Sequence, residues 1–181
     1  MKRILSVFGT RPEAIKLAPV ILEIQKHPDR FESLVCVTAQ HRQMLDQVLE
    51  WFAIVPQHDL NLMQPNQGLA EFAGRALLAI GSLLENVKPD IVLVQGDTST
   101  AMIAALGAFY RRIPVGHVEA GLRTRDRYNP FPEEINRRIV GTLATFHFAP
   151  TAQAAAALKA EQTPEGSIFV TGNTVIDALL M

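Results

Sequence analysis

Cysteine, long apolar runs and net charge are all scarce in this 181-residue chain. Its 17 Lys and Arg residues nearly balance 18 Asp and Glu residues, which gives a formal net charge of -1. This balance offers no broad field that would attract nucleic acid or an acidic membrane. The lone Cys36 excludes a disulfide framework, and its apolar neighbours indicate a buried side chain in a reducing, cytoplasmic compartment.

Membrane and export signals are also missing from the sequence. No apolar run approaches the ~18 residues that a membrane helix needs. The run after Lys2 and Arg3 breaks at Gly9, which is too short for the core of a signal peptide. We therefore expect no membrane partner.

Several familiar ligand motifs are absent as well. The sequence contains no GxGxxG after its first apolar run, no GxxxxGK[ST], no GxSxG and no Cys/His metal spacing. These absences argue against dinucleotide, Walker-type nucleotide and metal binding. We expect no metal and no other cofactor.

The apolar residues that are present recur in short runs separated by stretches that suit helices. The runs are Ile4 to Phe8, Leu34 to Thr38, Ile91 to Gln95, Ile113 to Val118, Phe146 to Ala149 and Ile168 to Val170. This alternation predicts an α/β domain over residues 1–181, with a Rossmann-like, mostly parallel sheet and helices on both faces.

Helical periodicity is clearest over residues 13–26 and 68–87. Thr10 and Glu13 fit a capping box at the start of the first helix, and Pro89 ends the second. Residues 56–67 predict a loop or short excursion beside the sheet. The helix that reaches Met181 has no capping glycine, so we expect that the chain lacks a further part of the protein.

Polar clusters follow three of the predicted strands, where ligands of open parallel sheets bind. In the first, Gly9 and Thr10 would present free amides at a helix start, with Arg11 and Lys16 nearby, which suits a diphosphate. The alternative is that these residues only begin a helix and that Lys16 is solvated.

The second and third clusters contain acids. Asp97 follows a buried strand and is either a helix N-cap or a proton-transfer group. Glu119 is either half of an ion pair with Arg123 or Arg125, or catalytic. His117 is a base or a buried core histidine, and we favour the core reading.

A proline-rich segment, 129–132, precedes another acid. Glu133 and Arg137, and likewise Glu134 and Arg138, have ion-pair spacing on a helix, so surface salt bridges are one interpretation. The other is that the prolines aim Glu133 toward the crevice as a third acid.

Six motifs together resemble the non-hydrolysing UDP-N-acetylglucosamine 2-epimerases along the whole chain. They are FGTRPEAIK (8–16), VTAQHRQMLDQVL (37–49), VQGDTST (94–100), IPVGHVEAGLRT (113–124), NPFPEEINRR (129–138) and VTGNTVIDALL (170–180). The resemblance implies one half of a glycosyltransferase-B type fold, with the UDP-binding second domain absent from this chain.

The resemblance also implies an activity and its residues. UDP-N-acetylglucosamine and UDP-N-acetylmannosamine would interconvert without NAD or metal, by elimination of UDP to 2-acetamidoglucal and its re-addition. Asp97, Glu119 and Glu133 would form the acid/base group. The sugar nucleotide would contact Gly9, Thr10, Arg11 and Lys16 together with Asp97 and Glu119.

Further expectations concern regulation, assembly and alternative functions. Gln40 and Gln43 would contribute to a regulatory site, and Trp51, Phe52 and Phe109 either support a homodimer or pack in the core. We expect little activity from this chain alone. Two alternatives are half of a UDP-sugar glycosyltransferase, since that architecture is shared, and a non-catalytic binding or assembly module.

Overall fold

The computed structural model describes residues 1–38, 42–64 and 67–181, with the side chains of residues 42 and 43 outside the description. Within these ranges, seven strands form one sheet, in which every neighbouring pair is parallel. The strands are β1 (Lys2–Phe8), β2 (Phe31–Val37), β3 (His58–Asp59), β4 (Ile91–Gln95), β5 (Val115–Val118), β6 (Phe146–Ala149) and β7 (Ile168–Val170).

Helices connect most of the strands, and each predicted helix is present. They are α1 (Arg11–Gln25), α2 (Arg42–Trp51), α3 (Leu69–Val87), α4 (Ser99–Tyr110), α5 (Glu133–Leu143), α6 (Ala152–Ala160) and α7 (Thr174–Leu179). A short 3-10 helix, Glu165–Ser167, precedes β7. This order of elements confirms the predicted α/β class.

Alternate residues of the strands pack against helices on opposite faces of the sheet. Leu5 and Val7 of β1 contact a core built with α3 and α4. Phe8 contacts a second core, built with α1 and α2. Because side chains of a strand alternate between the two faces, both faces of the sheet are covered and the strands are largely apolar.

Two local predictions differ from the structure. The run that begins at Ile113 forms a strand only from Val115, where Pro114 has no amide for the ladder but accepts from the Val92 amide at 3.0 Å. The segment 56–67 also contributes the two-residue strand β3, which extends the sheet beside β2. In the described part of the chain, no helix has the length and apolar character needed to cross a bilayer.

The strands lie in the order β3-β2-β1-β4-β5-β6-β7. From β1, the chain adds β2 and β3 on one side and then β4 to β7 on the other, so the order switches between β1 and β4. Chain connections leave these two neighbouring strands toward opposite sides, so a crevice opens beyond their carboxyl ends. The loops that follow β1, β4 and β5 meet there, and they carry the polar clusters predicted from the sequence.

Candidate functional site

A buried carboxylate, Glu13, links the loops after β1 and β4. One of its oxygens, Oε1, accepts from the Thr98 hydroxyl at 2.7 Å. The other, Oε2, accepts from the amides of Gly9 and Thr10 at 3.0 and 2.8 Å and from the Thr10 hydroxyl at 2.8 Å. Burial raises the pKa of Glu13, and these donors oppose that rise. The capping-box prediction is confirmed.

The same contacts correct the expectation that this loop presents free amides, while contact of Gly9 and Thr10 with the sugar nucleotide stays a prediction. The amides of Gly9 and Thr10 are not free, because the Glu13 carboxylate already accepts from both. A diphosphate at this loop would compete with an internal anion that also repels it.

Lys16 of α1 reaches the carboxylate of Glu119 at the end of β5. Its Nζ lies 2.6 and 2.8 Å from the two Glu119 oxygens. Glu119 also accepts from Gln95 Nε2 at 2.6 Å and from Asn173 Nδ2 at 3.3 Å. The Glu119 side chain is 11% exposed, so this set of donors compensates for the loss of water around its charge.

The ion-pair partner of Glu119 is Lys16, not Arg123 or Arg125 as the sequence suggested. Arg123 instead donates to both carboxylate oxygens of Glu161, at 2.8 and 2.7 Å. Glu119 has a backbone φ of 65°, a left-handed conformation that L-residues with a side chain seldom adopt. Such strained residues concentrate at functional sites.

Asp97 lies between β4 and α4 but does not cap the helix. Thr98 is the N-cap, with its hydroxyl accepting from the Ala101 amide at 3.0 Å. The Asp97 carboxylate pairs instead with the Arg137 guanidinium. Burial raises the pKa of Asp97, Arg137 opposes that rise, and the charges of Glu133 and Glu119 add to it.

Helix α5 supplies the partners of Asp97. Arg137 lies on this helix one turn after Glu133, and its Nη1 is also 3.7 Å from the buried carboxylate of Glu134. Asn136 donates to the Asp97 main-chain oxygen at 2.9 Å. Arg137 is thus engaged by Asp97 and Glu134 rather than by the surface pair with Glu133 that the spacing suggested.

The three predicted acids share one neighbourhood, whereas Arg11 lines a hollow that none of the three acids lines. Glu119 and Glu133 both act electrostatically on Asp97. Arg11 is exposed and borders a separate hollow of about 310 Å³, whose other lining residues belong to α1, α2 and α7, apart from Phe52, which directly follows α2. Arg137 therefore provides a guanidinium beside Asp97, while the contact of Arg11 with the sugar nucleotide stays a prediction.

His117 is a core histidine, as favoured from the sequence. Its side chain is buried, and its Nε2 lies 2.7 Å from the Gly96 carbonyl oxygen. Burial lowers the pKa of His117 to about 4. The imidazole is therefore neutral near pH 7 and faces the backbone rather than the crevice.

The regulatory role expected of Gln40 and Gln43 stays a prediction. Gln40 and the side chain of Gln43 lie outside the described residues. Among the residues that are described, no group of three or more His, Cys, Asp or Glu side chains is arranged to hold a metal ion.

Comparison with known proteins agrees with this geometry. The profile of the UDP-N-acetylglucosamine 2-epimerase family matches residues 22–181. The chain belongs to this family. It is 60% identical over 178 residues to the UDP-N-acetylglucosamine 2-epimerase of Salmonella typhimurium and 58% identical over 178 residues to that of Escherichia coli. In both cases the match covers 98% of this chain and 47% of the relative.

Solved structures of the epimerase family have the same fold. The Neisseria meningitidis enzyme, bound to UDP-GlcNAc, superposes with a TM-score of 0.96 at 56% identity, over 98% of this chain and 48% of that one. The Methanocaldococcus jannaschii enzyme, in complex with UDP-GlcNAc and UDP, gives 0.92 at 39% identity, over 99% and 49%. The chain thus spans about half the length of the epimerases that it matches.

The sequence did not reveal several residues that contact Asp97, Glu119 or their partners. They are Gln95, Glu134, Asn136, Arg137 and Asn173. Gln95 carried a signal, since it is a polar residue at the end of a buried apolar strand. Glu134, Asn136 and Arg137 lie on α5, and Asn173 is the N-cap of α7. Their partners come from distant loops, so spacing alone does not reveal the contacts.

Proposed function

We propose that this chain is the N-terminal, Rossmann-like domain of an enzyme that interconverts UDP-N-acetylglucosamine and UDP-N-acetylmannosamine. The observation that carries the proposal is the gathering of Asp97, Glu119 and Glu133, with Lys16, beyond the carboxyl ends of β4 and β5 in a member of the epimerase family. Two relatives with this fold hold UDP-GlcNAc, which supports a UDP-sugar as substrate.

The chemistry requires a proton transfer at carbon 2 of the sugar. A carboxylate removes the carbon 2 proton while the bond between the anomeric carbon and the UDP oxygen breaks, so UDP leaves with the bonding electrons. The resulting 2-acetamidoglucal then takes UDP back at the anomeric carbon and a proton on the opposite face of carbon 2. Because the two faces need separate groups, more than one acid is useful.

The site gives the three acids different surroundings for this work. Burial and the nearby charges of Glu133 and Glu119 raise the pKa of Asp97, which makes its carboxylate a stronger base for proton transfer. Glu119 accepts hydrogen bonds from Lys16, Gln95 and Asn173, which fix its position. Phosphate groups that attract Lys16 would release one of these contacts at the moment of binding.

We infer that a second domain completes the site. The chain spans about half the length of the matched epimerases, and the donors described here are too few to hold a complete UDP-sugar. Among the described residues, Lys16 is the one cation in contact with Glu119, and the Gly9 and Thr10 amides are occupied. Little turnover is therefore expected from residues 1–181 alone.

Deuterium exchange tests the reaction. We would fuse residues 1–181 to the C-terminal half of the Escherichia coli relative and incubate the fusion with UDP-N-acetylglucosamine in heavy water. We expect UDP-N-acetylmannosamine that carries deuterium at carbon 2, with a rate about 100-fold lower for Asp97→Asn. Transfer of the sugar to an acceptor without exchange would instead support a glycosyltransferase.

Calorimetry on the chain alone tests the half-site. We expect weak binding of UDP-N-acetylglucosamine that is lost in the Asp97→Asn, Glu119→Gln double variant. Equal heats from both proteins would mean that these carboxylates do not contact the ligand. They would leave a non-catalytic binding or assembly role for this domain.

We also infer a homodimer and a cytoplasmic location. Trp51 and Phe109 are 82% and 56% exposed, which excludes core packing for both, while Phe52 is partly buried.

Cys36 is buried, and burial raises the pKa of its thiol to about 12, so it acts as a small apolar side chain. A cysteine of this kind suits a reducing compartment.

A further inference from the structure

Asp97 is held in a position that its surroundings disfavour. Its side chain is 26% exposed, and Glu119 of the β5 end and Glu133 of α5 both place negative charge near it. Burial and like charge each make an ionised carboxylate unfavourable. An unrestrained aspartate would rotate toward water or take up a proton.

Arg137 supplies the opposing charge and lies in a fixed place. Its guanidinium pairs with Asp97 on one side and lies 3.7 Å from the Glu134 carboxylate on the other. The Arg137 side chain is 12% exposed, so water screens these contacts little. A planar guanidinium engages two carboxylates with defined geometry, which a single ammonium does not.

Glu134 is in turn fixed by the loop that leaves β5. Its side chain is 1% exposed, and its two oxygens accept from the amides of Thr124 and Arg125 at 3.1 and 3.2 Å. The chain of contacts therefore runs from the β5 loop through Glu134 and Arg137 to Asp97. Asn136 adds a second tie, because it donates to the Asp97 main-chain oxygen at 2.9 Å.

We propose that Arg137 is a positioning residue for the epimerase reaction, which keeps the Asp97 carboxylate ionised and aimed into the crevice. The role rests on the proposed function, since it acts through an acid assigned to proton transfer. Helix α5 then has two tasks. It carries Glu133 in its first turn, and one turn later it fixes the second acid.

Carbon-13 NMR of labelled aspartate carboxyl groups in residues 1–181 tests this role without any turnover. Asp97→Asn identifies the Asp97 signal. We expect Arg137→Met to raise the pH midpoint of that signal by about one unit or more, and Arg137→Lys to raise it by less. Arg138→Met removes an exposed cation from the same helix and should move the midpoint by less than about 0.3 units.

The outcomes separate the proposal from its alternatives. A midpoint for Arg137→Met that stays within about 0.3 units of the wild type would overturn the role. If the methionine variant does not fold, Arg137→Lys decides, because an unchanged midpoint there means that the guanidinium geometry is not needed. Failure of deuterium exchange in the fused enzyme, with the Arg137 effect intact, would reject the epimerase reaction but not the positioning contact.

Discussion

His117 shows how one buried side chain sets a response to acid. Its pKa is lowered from 6.5 to about 4 in the folded chain, chiefly by burial. Between these values the unfolded chain binds the proton more readily than the folded chain. The free energy of unfolding is therefore highest above about pH 6.5 and falls as the pH drops toward 4. Burial lowers the pKa of His147 in the same direction.

Between pH 7 and pH 5, we expect the free energy of unfolding to fall by about 2 kcal/mol more in the wild type than in His117→Gln. The reason is that a neutral amide has no proton to gain. Urea unfolding at both pH values measures the loss. His27→Gln, which changes a 47% exposed histidine, is the matched control and should keep the wild-type dependence. An equal loss in wild type and His117→Gln would contradict the buried, neutral imidazole.

Glu13 is a second residue whose effect comes from its partners. Glu13→Ala leaves the Gly9 and Thr10 amides and the Thr98 hydroxyl without their acceptor. We expect a loss of about 3 kcal/mol in the free energy of unfolding, measured in urea.

The control for Glu13 is a glutamate at the same position of another helix, the third residue of α3. Glu71 accepts from the Gly68 amide at 3.1 Å on the surface, where water replaces it readily. Glu71→Ala should therefore cost less than about 1 kcal/mol. Equal losses at the two positions would show that Glu13 only caps α1 and does not link the loops after β1 and β4.

At the scale of elements, the loop after β5 depends on a close approach to α6. Gly121 has a φ of 93°, and a Cβ there would lie 2.2 Å from the Ala154 carbonyl oxygen. The loop carries Glu119 before this point and Thr124 after it, so a shift would disturb the contacts of both Lys16 and Glu134.

We expect Gly121→Ala to lower the free energy of unfolding by at least about 2 kcal/mol, because backbone strain and the clash add. Gly74→Ala is the matched control on α3, where a Cβ would meet nothing within 4 Å. It should raise stability by about 0.5–1 kcal/mol through helix propensity. Thermal unfolding followed by circular dichroism compares the two, and a neutral Gly121→Ala would contradict the close approach.

At the scale of the whole molecule, the exposed aromatic residues do not form one surface. Trp51 ends α2, on one face of the sheet, whereas Phe109 lies on α4, on the other. Leu78 of α3 and Tyr110 of α4 are 78% and 62% exposed. Because α3 and α4 pack together, the surface that carries Leu78, Phe109 and Tyr110 is the better candidate for a homodimer contact.

We expect Phe109→Asp to weaken self-association, because a charge at an apolar contact must be desolvated, and Trp51→Asp to leave it unchanged. Sedimentation equilibrium of the two variants and the wild type measures the association. The reverse order of effects would place the contact on the α2 face.

Much of the fold followed from the sequence because its signals are local. The apolar runs predicted β1, β4, β6 and β7, and helical periodicity predicted α1 and α3, since buried strands and amphipathic helices need these patterns. The short strand β3 was not predicted as a strand. Two residues carry no periodic signal, and β3 forms only because β2 offers a free edge.

The site was predicted only in part, for a related reason. The sequence determined that acids follow strands β4 and β5 and that Glu13 fits a capping box, because these features depend on neighbours along the chain. Tertiary structure decided that Lys16 and not Arg123 pairs with Glu119, that Arg137 pairs with Asp97, and that Arg11 faces another hollow. Those pairings join residues far apart in sequence, and only the packing of helices on the sheet brings their charges within reach.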